Sequence, residues 1–450
     1  MVARVSASHC RLHRIQFTIG RAISRTHSGL LLGIAIAANL GLLGYFKYYN
    51  LFALGVQSAG GAWAPYKDIV LPLAISFFTF EQISYLVDCR RKAIDPAPFW
   101  DYVFFVTFFP KLIAGPIIRY RELAEQNFSS RIGVRAADLA PGLTLFIIGL
   151  GKKCLLADTA ALAAAPTFAA AAAGSGLSPS DAWIGVLAYS MQIYFDFSGY
   201  SDMALGLAMM FGLRLPQNFN SPYKSQSMID FWRRWHITLS RFLRDYLYIP
   251  LGGSRCGPLR RYLNLIVVMV LGGLWHGAGL TFIAWGFLHG VFLAINHLFR
   301  ELTNNWRPTG TATGAIWRAT CWSATLFVVV VAWVFFRADT FASAFTLLGS
   351  MFGVSEAATA TASLPPEAGV VVLLLCVVAL FFPNSNEIVR GSALPLSYER
   401  HPAGEDRFAA GQQGWLEWRP SIAWAAGISV IFVAAVATLF RPSPFLYFQF

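Results

Sequence analysis

Largely apolar stretches of roughly twenty residues recur along this chain, most of them long enough to carry a helix across about 30 Å of hydrocarbon. They run from Leu30 to Phe46, Ile69 to Val87, Ala182 to Phe211, Tyr262 to Phe299, Trp317 to Phe336, Gly369 to Pro383 and Ile422 to Phe440. In lipid no water satisfies a stray backbone N–H or C=O, so such segments must pair their own backbone groups, as a helix does within itself. Composition agrees: 56% of residues are hydrophobic and 13% charged, about half the charged share of a soluble domain. These features predict an all-α, polytopic integral membrane fold of about nine or ten membrane segments. One domain over residues 28–450 is expected, behind a basic leader at residues 1–27.

The formal charge of +12 does not point to nucleic acid. The arginines and lysines sit in short clusters beside apolar segments, where positive-inside orientation and anionic headgroups account for them. Arg4, Arg11, Arg14, Arg21 and Arg25 precede the first span with no acid among them, and Arg90, Arg91 and Lys92 follow the second. Both clusters are expected on the cytoplasmic side. The acid-free start shares its composition with organelle transit peptides, but no short apolar region with a small-residue cleavage site follows it. Cys10, Cys89, Cys154, Cys256, Cys321 and Cys376 are scattered singly, without the spacing of a disulfide framework or a zinc site. His9, Cys10 and His13 are neighbours on the leader and are not read as metal ligands. No metal site is predicted, and no Walker or dinucleotide glycine loop supports nucleotide-driven transport.

Three segments depart from plain spans. Trp100 to Ile118 contains Pro110, Lys111 and Gly115-Pro116. A helix broken at Pro110 that dips in and returns keeps Arg119, Arg121, Arg131 and Arg135 cytoplasmic, and broken backbone at that depth implies a cavity. The span from Ala182 to Phe211 carries Tyr194, Asp196, Ser198, Gly199, Tyr200, Ser201 and Asp202. At about 100° per residue Tyr194, Ser198 and Ser201 share one face and Asp196 and Tyr200 another. The two carboxylates either act on substrate or hold helices together, and Gly199 is a candidate break. Met228 to Pro250 has the cleanest amphipathic pattern. Trp232, Trp235, Leu239, Phe242, Leu243 and Tyr246 fill one arc; Arg233, Arg234, Ser240, Arg241, Arg244 and Asp245 fill the other. The expectation is an interfacial helix, aromatics in the acyl boundary and guanidiniums toward phosphate or solvent. His236 falls at the boundary, open to a packing or a site role.

His276 has no such ambiguity of depth. Trp275-His276-Gly277 interrupts the apolar run from Tyr262 to Phe299, and an ionisable group at membrane depth is costly and usually functional. Gly272-Gly273 before it and Gly277 and Gly279 after it let the backbone kink or another group approach. His289 shares a site with His276 only if those glycines bend the segment and is otherwise a packing residue; His297 reads as interfacial and His401 as a solvated loop residue. A neutral imidazole is suited to take a proton from an alcohol, so that the hydroxyl attacks an activated acyl group without a metal. It equally suits a nucleophile that carries the acyl group, with a second histidine or Arg or Tyr donors on the oxyanion.

Ordered motifs then carry a resemblance. They are Phe109-Pro110-Lys111-Leu112-Ile113-Ala114-Gly115-Pro116-Ile117, Tyr194-Phe195-Asp196-Phe197-Ser198-Gly199-Tyr200-Ser201-Asp202 and Asn218-Phe219-Asn220-Ser221-Pro222-Tyr223. Phe231 to Ser240, Arg244 to Gly253, Leu274-Trp275-His276-Gly277-Ala278 and the closing Tyr447-Phe448-Gln449-Phe450 complete the set. The chain resembles the membrane-bound O-acyltransferases, in the branch that acetylates bacterial exopolysaccharide, alginate above all. The resemblance implies that His276 matches the essential histidine and His236 the second functional one. It implies membrane, re-entrant and interfacial helices around a funnel in the bacterial inner membrane, fed with acetyl-CoA from the cytoplasm. Outside, the implied partners are the polysaccharide, periplasmic acetylation proteins and the polymer export machinery. Asp196, Tyr200, Ser201, Asp202, Arg233, Arg234, Trp235 and Trp275 are the candidates to line the funnel; no set of donor-binding residues stands out. Family members begin with roughly two further spans, so the basic start implies either a misassigned gene start or a shortened chain. The acceptor within the superfamily extends to cellulose, peptidoglycan and, for D-alanine, teichoic acid. From another class, buried Asp and His also suit a proton-coupled transporter or glycan flippase, although no inverted repeat is found.

Overall fold

The computed structural model describes residues 2–61, 64–72, 74–113, 115–128, 132–303, 308, 310–354, 363–389, 416–440 and 446, with side chains from Arg14 onward. Ala114, Arg131, His401, the closing Tyr447 to Phe450 motif and the side chains of Arg4, His9, Cys10, Arg11 and His13 lie outside the described residues. In chain order the helices are α1 (Val2–Thr26), α2 (Gly29–Leu43), α3 (Tyr49–Ser58), α4 (Ile75–Arg90), α5 (Phe99–Thr107), α6 (Tyr120–Ala124), α7 (Ala136–Gly151), α8 (Asp158–Ala172) and α9 (Pro179–Met210). There follow α10 (Met228–Arg234), α11 (Ile237–Leu243), α12 (Pro258–His276), α13 (Leu280–Leu302), α14 (Thr311–Arg337), α15 (Phe341–Met351), α16 (Ala368–Phe381), α17 (Ser385–Ile388) and α18 (Ile422–Thr438). Wider π turns join α2 to α3, α7 to α8, and extend α11 over Arg244–Tyr248.

Among the described residues four helical stretches are long and apolar enough to cross a membrane: Gly29–Ser58, Ala136–Ala172, Leu280–Leu302 and Thr311–Arg337, with α15, α16 and α18 as shorter apolar helices. Ala136–Ala172 is absent from the spans expected above. Lys152 and Lys153 interrupt its apolar pattern, and the fold neutralises both against carboxylates of α9. The described residues of the expected leader up to Thr26 lie in α1, and one face of its later turns packs inward. Ile23 is fully buried, the Phe17 ring meets those of Phe99 and Tyr102 at 5.2 and 5.9 Å, and Gly20 passes against the Tyr85 ring.

α9, about 48 Å long, is a continuous helix through the middle of the molecule. Gly199 does not break it. A Cβ there would lie 2.7 Å from the Gly149 carbonyl oxygen, and one at Gly149 would lie 2.5 Å from that of Gly199. The glycine sets how closely α7 and α9 approach, as small residues do between membrane helices. The run from Tyr262 to Phe299 is two helices, because Gly277 and Gly279 adopt extended backbone and turn the chain back. Gly273 faces the Phe282 carbonyl, Gly286 the Met269 carbonyl and Gly290 the Ile266 Cα, so α12 and α13 form a tight antiparallel hairpin. The expected bend is thus at residues 277–279, while Gly272-Gly273 stay helical.

The segment from Trp100 to Ile118 is broken as the sequence implies. α5 spans nine residues, about 13.5 Å and too short to cross. A 3-10 turn at Phe109–Lys111 then buries the Lys111 ammonium against Glu81 of α4 and over the Phe105 ring. The segment from Met228 to Pro250 corrects the expected continuous interfacial helix. It breaks at Trp235-His236 into α10 and α11, and Trp232, Trp235, Leu239 and Phe242 pack into protein cores. Its polar arc also turns partly inward. Arg241 pairs with buried Glu122 at 2.6 Å, Asp245 with Arg119 at 2.7 Å, and Tyr246 Oη donates to Asp88 at 2.8 Å. Long amphipathicity described this segment correctly, but its apolar face meets protein in place of acyl chains.

Candidate active site

The end of α12 is held from outside its own hairpin. Its last carbonyls have no intrahelical donors, and residues of the π turn after α2 supply them. Lys47 Nζ donates to the Trp275 and His276 oxygens at 2.5 and 2.9 Å, and Tyr48 Oη to that of Leu274 at 2.6 Å. A cation at a helix C-terminus also complements the helix dipole. Gly277 follows directly, where a Cβ would stand 2.1 Å from the Phe282 ring. His276 is thereby fixed at the mouth of the turn, 6% exposed, with Trp275, Phe336 and Trp285 ring centroids at 5.0, 5.2 and 5.3 Å.

His276 borders a narrow cavity, lined also by Ile193, Asp196, Phe197, Trp235, Trp285, Trp333, Phe336 and Leu446. His236 stands beside it, fully buried, its ring centroid 6.3 Å from that of His276 and 4.7 Å from that of Phe197. Its backbone is left-handed, φ 43° and ψ 53°, a conformation that costs a non-glycine residue about 1–2 kcal/mol. Neighbours hold it there: the Ile237 N–H donates to the Asn218 carbonyl at 3.0 Å and the Asn220 N–H to that of Arg234 at 2.9 Å. This break swings the imidazole off the amphipathic surface and into the core, with His236 Nδ1 3.1 Å from Asn218 Oδ1.

The opposite wall is ionic. Asp196 lies 2.9 Å from Lys153 Nζ and accepts the Leu446 N–H at 3.1 Å; Lys153 also reaches Asp158 at 2.7 Å. Asp202, nearly two turns on, pairs with Lys152 at 2.6 Å and accepts from Ser385 Oγ at 2.5 Å. Both carboxylates therefore tie α9 to the α7–α8 stretch, and Asp196 does so while facing the cavity. Of the candidate funnel residues, Asp196 and Trp235 line the cavity with His276. Trp275 does not: it stacks on Phe80 at 5.0 Å and lies tilted against His236 at 6.2 Å. Ser201 accepts from Asn218 Nδ2 at 3.2 Å, and Tyr200 is half-buried against the same core. Arg233 is exposed, and Arg234 spans Asp230 and the Asn220 carbonyl, so neither guanidinium joins the cavity.

Residues outside the expected set complete the site. Lys47, Lys152, Lys153, Asn218 and Thr238 supply its polar framework, and Trp285, Trp333 and Phe336 its walls. His289 is brought near by the hairpin: Trp285 packs against His276 and, at 4.7 Å, against His289, which accepts the Trp232 indole N–H at 3.3 Å. The sequence held one clear sign of the ionic wall, the Lys152-Lys153 pair inside an apolar run. Among the described residues no group of three or more His, Cys, Asp or Glu side chains could hold a metal ion. Two imidazoles in a buried, largely aromatic enclosure suit proton transfer to and from a reacting hydroxyl.

Comparison with known proteins bears on the family. The model of MBOAT, the membrane-bound O-acyltransferase family, matches residues 26–336. A protein described as a probable alginate O-acetylase of Pseudomonas aeruginosa is 40% identical over 97% of this chain and 88% of its own length. A peptidoglycan O-acetyltransferase of Helicobacter pylori is 42% identical over 72% of this chain and 65% of its own. A teichoic acid D-alanyltransferase of Bacillus subtilis is 27% identical over 55% of this chain and 65% of its own. A family match over more than half the chain, and relatives about 40% identical over nearly all of it, place this protein in the membrane-bound O-acyltransferase family.

Proposed function

We propose that this acyltransferase carries an acetyl group from a cytoplasmic thioester, acetyl-CoA, across the bacterial inner membrane to hydroxyls of alginate, directly or through a periplasmic acetylation protein. The identity of 40% to an alginate O-acetylase over nearly the whole chain carries this reading. His276, on the cavity wall, takes the hydroxyl proton as the hydroxyl oxygen bonds to the acetyl carbonyl carbon. The C–S bond of the thioester then breaks and the leaving thiolate receives that proton, which returns the imidazole to its neutral form. His236 is the second imidazole of the site, and Asp196, already paired with Lys153, contributes wall and position more than reactivity. Periplasmic acetylation and export proteins would take up the product.

The test uses labelled acetate in cells that make the polymer. Label appears on extracellular alginate with the parent protein and is lost with His276→Ala while membrane abundance is unchanged. Acetylation that persists in that variant overturns the catalytic reading. Label that appears on peptidoglycan and not on alginate overturns the acceptor alone, an outcome given weight by the Helicobacter relative.

A further inference from the structure

Three of the ordered sequence motifs meet at one amide, Asn218, for which the proposed chemistry has no assigned use. The Ile117 N–H donates to Thr238 Oγ1 at 3.0 Å. That occupies the acceptor side of the hydroxyl and directs its proton to Asn218 Oδ1, 2.9 Å away. The Thr238 backbone N–H also points at Oδ1, at 3.4 Å, and Asn218 Nδ2 donates to Ser201 Oγ at 3.2 Å. Donors on one side and a hydroxyl acceptor on the other fix which end of the amide is oxygen, an orientation assigned by the network itself. His236 Nδ1 lies 3.1 Å from that same oxygen. An amide oxygen only accepts, so Nδ1 must carry the hydrogen, and a neutral imidazole then has its lone pair on Nε2. Nε2 is buried and has no hydrogen-bond partner among the described residues.

We propose that Asn218 is a positioning residue that commits His236 to the Nδ1–H form and presents Nε2 as a proton acceptor beside the cavity. This deepens the acyl-transfer reading and rests on it. His236 is thereby barred from donating to the oxyanion from its neutral state. It backs His276 as an acceptor, so the hydroxyl proton has two imidazole sites to occupy before it reaches the leaving thiolate. The relation is that of an orienting group to a catalytic imidazole, here made by a neutral amide, which fits a lipid-bounded core better than an unmatched carboxylate. Asn218 thus acts through both its groups: its carbonyl holds the left-handed turn at Ile237, and its side chain sets the ring that this turn carries.

The test measures CoA release from labelled acetyl-CoA, and transfer of label to polymannuronate oligosaccharide, in membranes holding the full chain, normalised to folded protein. Asn218→Leu keeps the volume and removes the acceptor. It is expected to lower kcat by roughly 100-fold with KM for the donor within about threefold. Asn218→Asp restores an acceptor for Nδ1 and for Thr238, with Ser201 rotating to donate, and is expected to recover kcat to within about tenfold of the parent. Thermal midpoints separate this from loop anchoring, since an anchoring role lowers the midpoint without dividing the two variants in kcat per folded molecule. Equal kcat losses in both variants overturn the proposal. So does parental turnover in Asn218→Leu when His276→Ala and His236→Asn are inactive, Asn being chosen because it tolerates the left-handed backbone. If those two histidine variants turn over normally, it is the acyl-transfer reading of the site that falls.

Discussion

Across the cavity, the α7–α9 wall and the α10–α14 wall hold polar groups in the same lipid-bounded core by different means. On the first, every named charge is matched, Lys152 to Asp202 and Lys153 to Asp196 and Asp158. On the second, the groups beside the cavity are two imidazoles and indoles, with the Asn218 amide behind them, set by hydrogen bonds and ring contacts. Matched charges of this kind lock position, because removing either partner leaves an uncompensated ion where solvation is poor. A neutral imidazole takes a proton while the anion formed in the same step balances its charge, and is neutral again once that proton moves on. The division assigns position to one wall and proton chemistry to the other.

The contrast can be broken most sharply at the histidine wall. His276→Ala is expected to lower acetyl transfer by about 10²- to 10⁴-fold with little loss of folded protein, measured as label transferred per molecule extracted in detergent. On the ionic wall the pattern inverts. Lys152→Met or Asp202→Leu alone should destabilise by about 3–5 kcal/mol, whereas the double variant recovers most of it; thermal midpoints in detergent decide, and equal losses in single and double variants would refute the pairing. Gly273→Ala places a Cβ 2.2 Å from the Phe282 carbonyl oxygen and should cost about 1–3 kcal/mol by overpacking. Because it displaces the helix end bearing His276, activity per folded molecule should fall as well, which an ionic-wall variant of equal instability would not show.

The smallest effect lies outside both walls, at Asp245 on the π turn after α11. Burial raises this carboxyl, but the hydrogen bond and charge of Arg244 and those of Arg119 outweigh it and hold it below the ordinary carboxylate range. A depressed folded-state value means the group contributes stability above its unfolded value of about 4 and loses it as pH falls through the folded value. Asp245→Asn should therefore lower the thermal midpoint at pH 7 and converge on the parent in acid. A difference that persists unchanged at low pH would mean packing, not charge, is the source.

The fold class and His276 were legible because lipid imposes rules that show in one dimension: long apolar runs, and a rare ionisable group inside one. Pro110 also announced the broken segment, and the glycines after His276 the hairpin. Ala136–Ala172 was obscured for a physical reason. Its two lysines look like an interruption until Asp196 and Asp202, some forty to fifty residues on, neutralise them. His236 was obscured by the opposite error, a continuous wheel drawn through a break. A left-handed residue leaves no mark on amphipathic spacing, and its cause, the Asn218 carbonyl and amide, comes from another segment. Arg233 and Arg234 were drawn toward the funnel by their place in a motif; in the fold Arg233 is exposed and Arg234 pairs with Asp230.

The cap on α12 bears on the order in which the molecule is built. Lys47 and its carbonyl partner on Trp275 are 228 residues apart in sequence, so the earliest helices emerge long before the helix end they complete. At synthesis rates of 5–20 residues per second that interval is roughly 10–45 s, during which the Lys47 ammonium must keep to the interface by its flexible stem. Contacts of such separation form late, after local helices and hairpins. The histidine end of α12 is thus capped only after both partners of the Lys152–Asp202 and Lys153–Asp196 pairs have been made, and a nascent chain holds its ionic wall before it has a site.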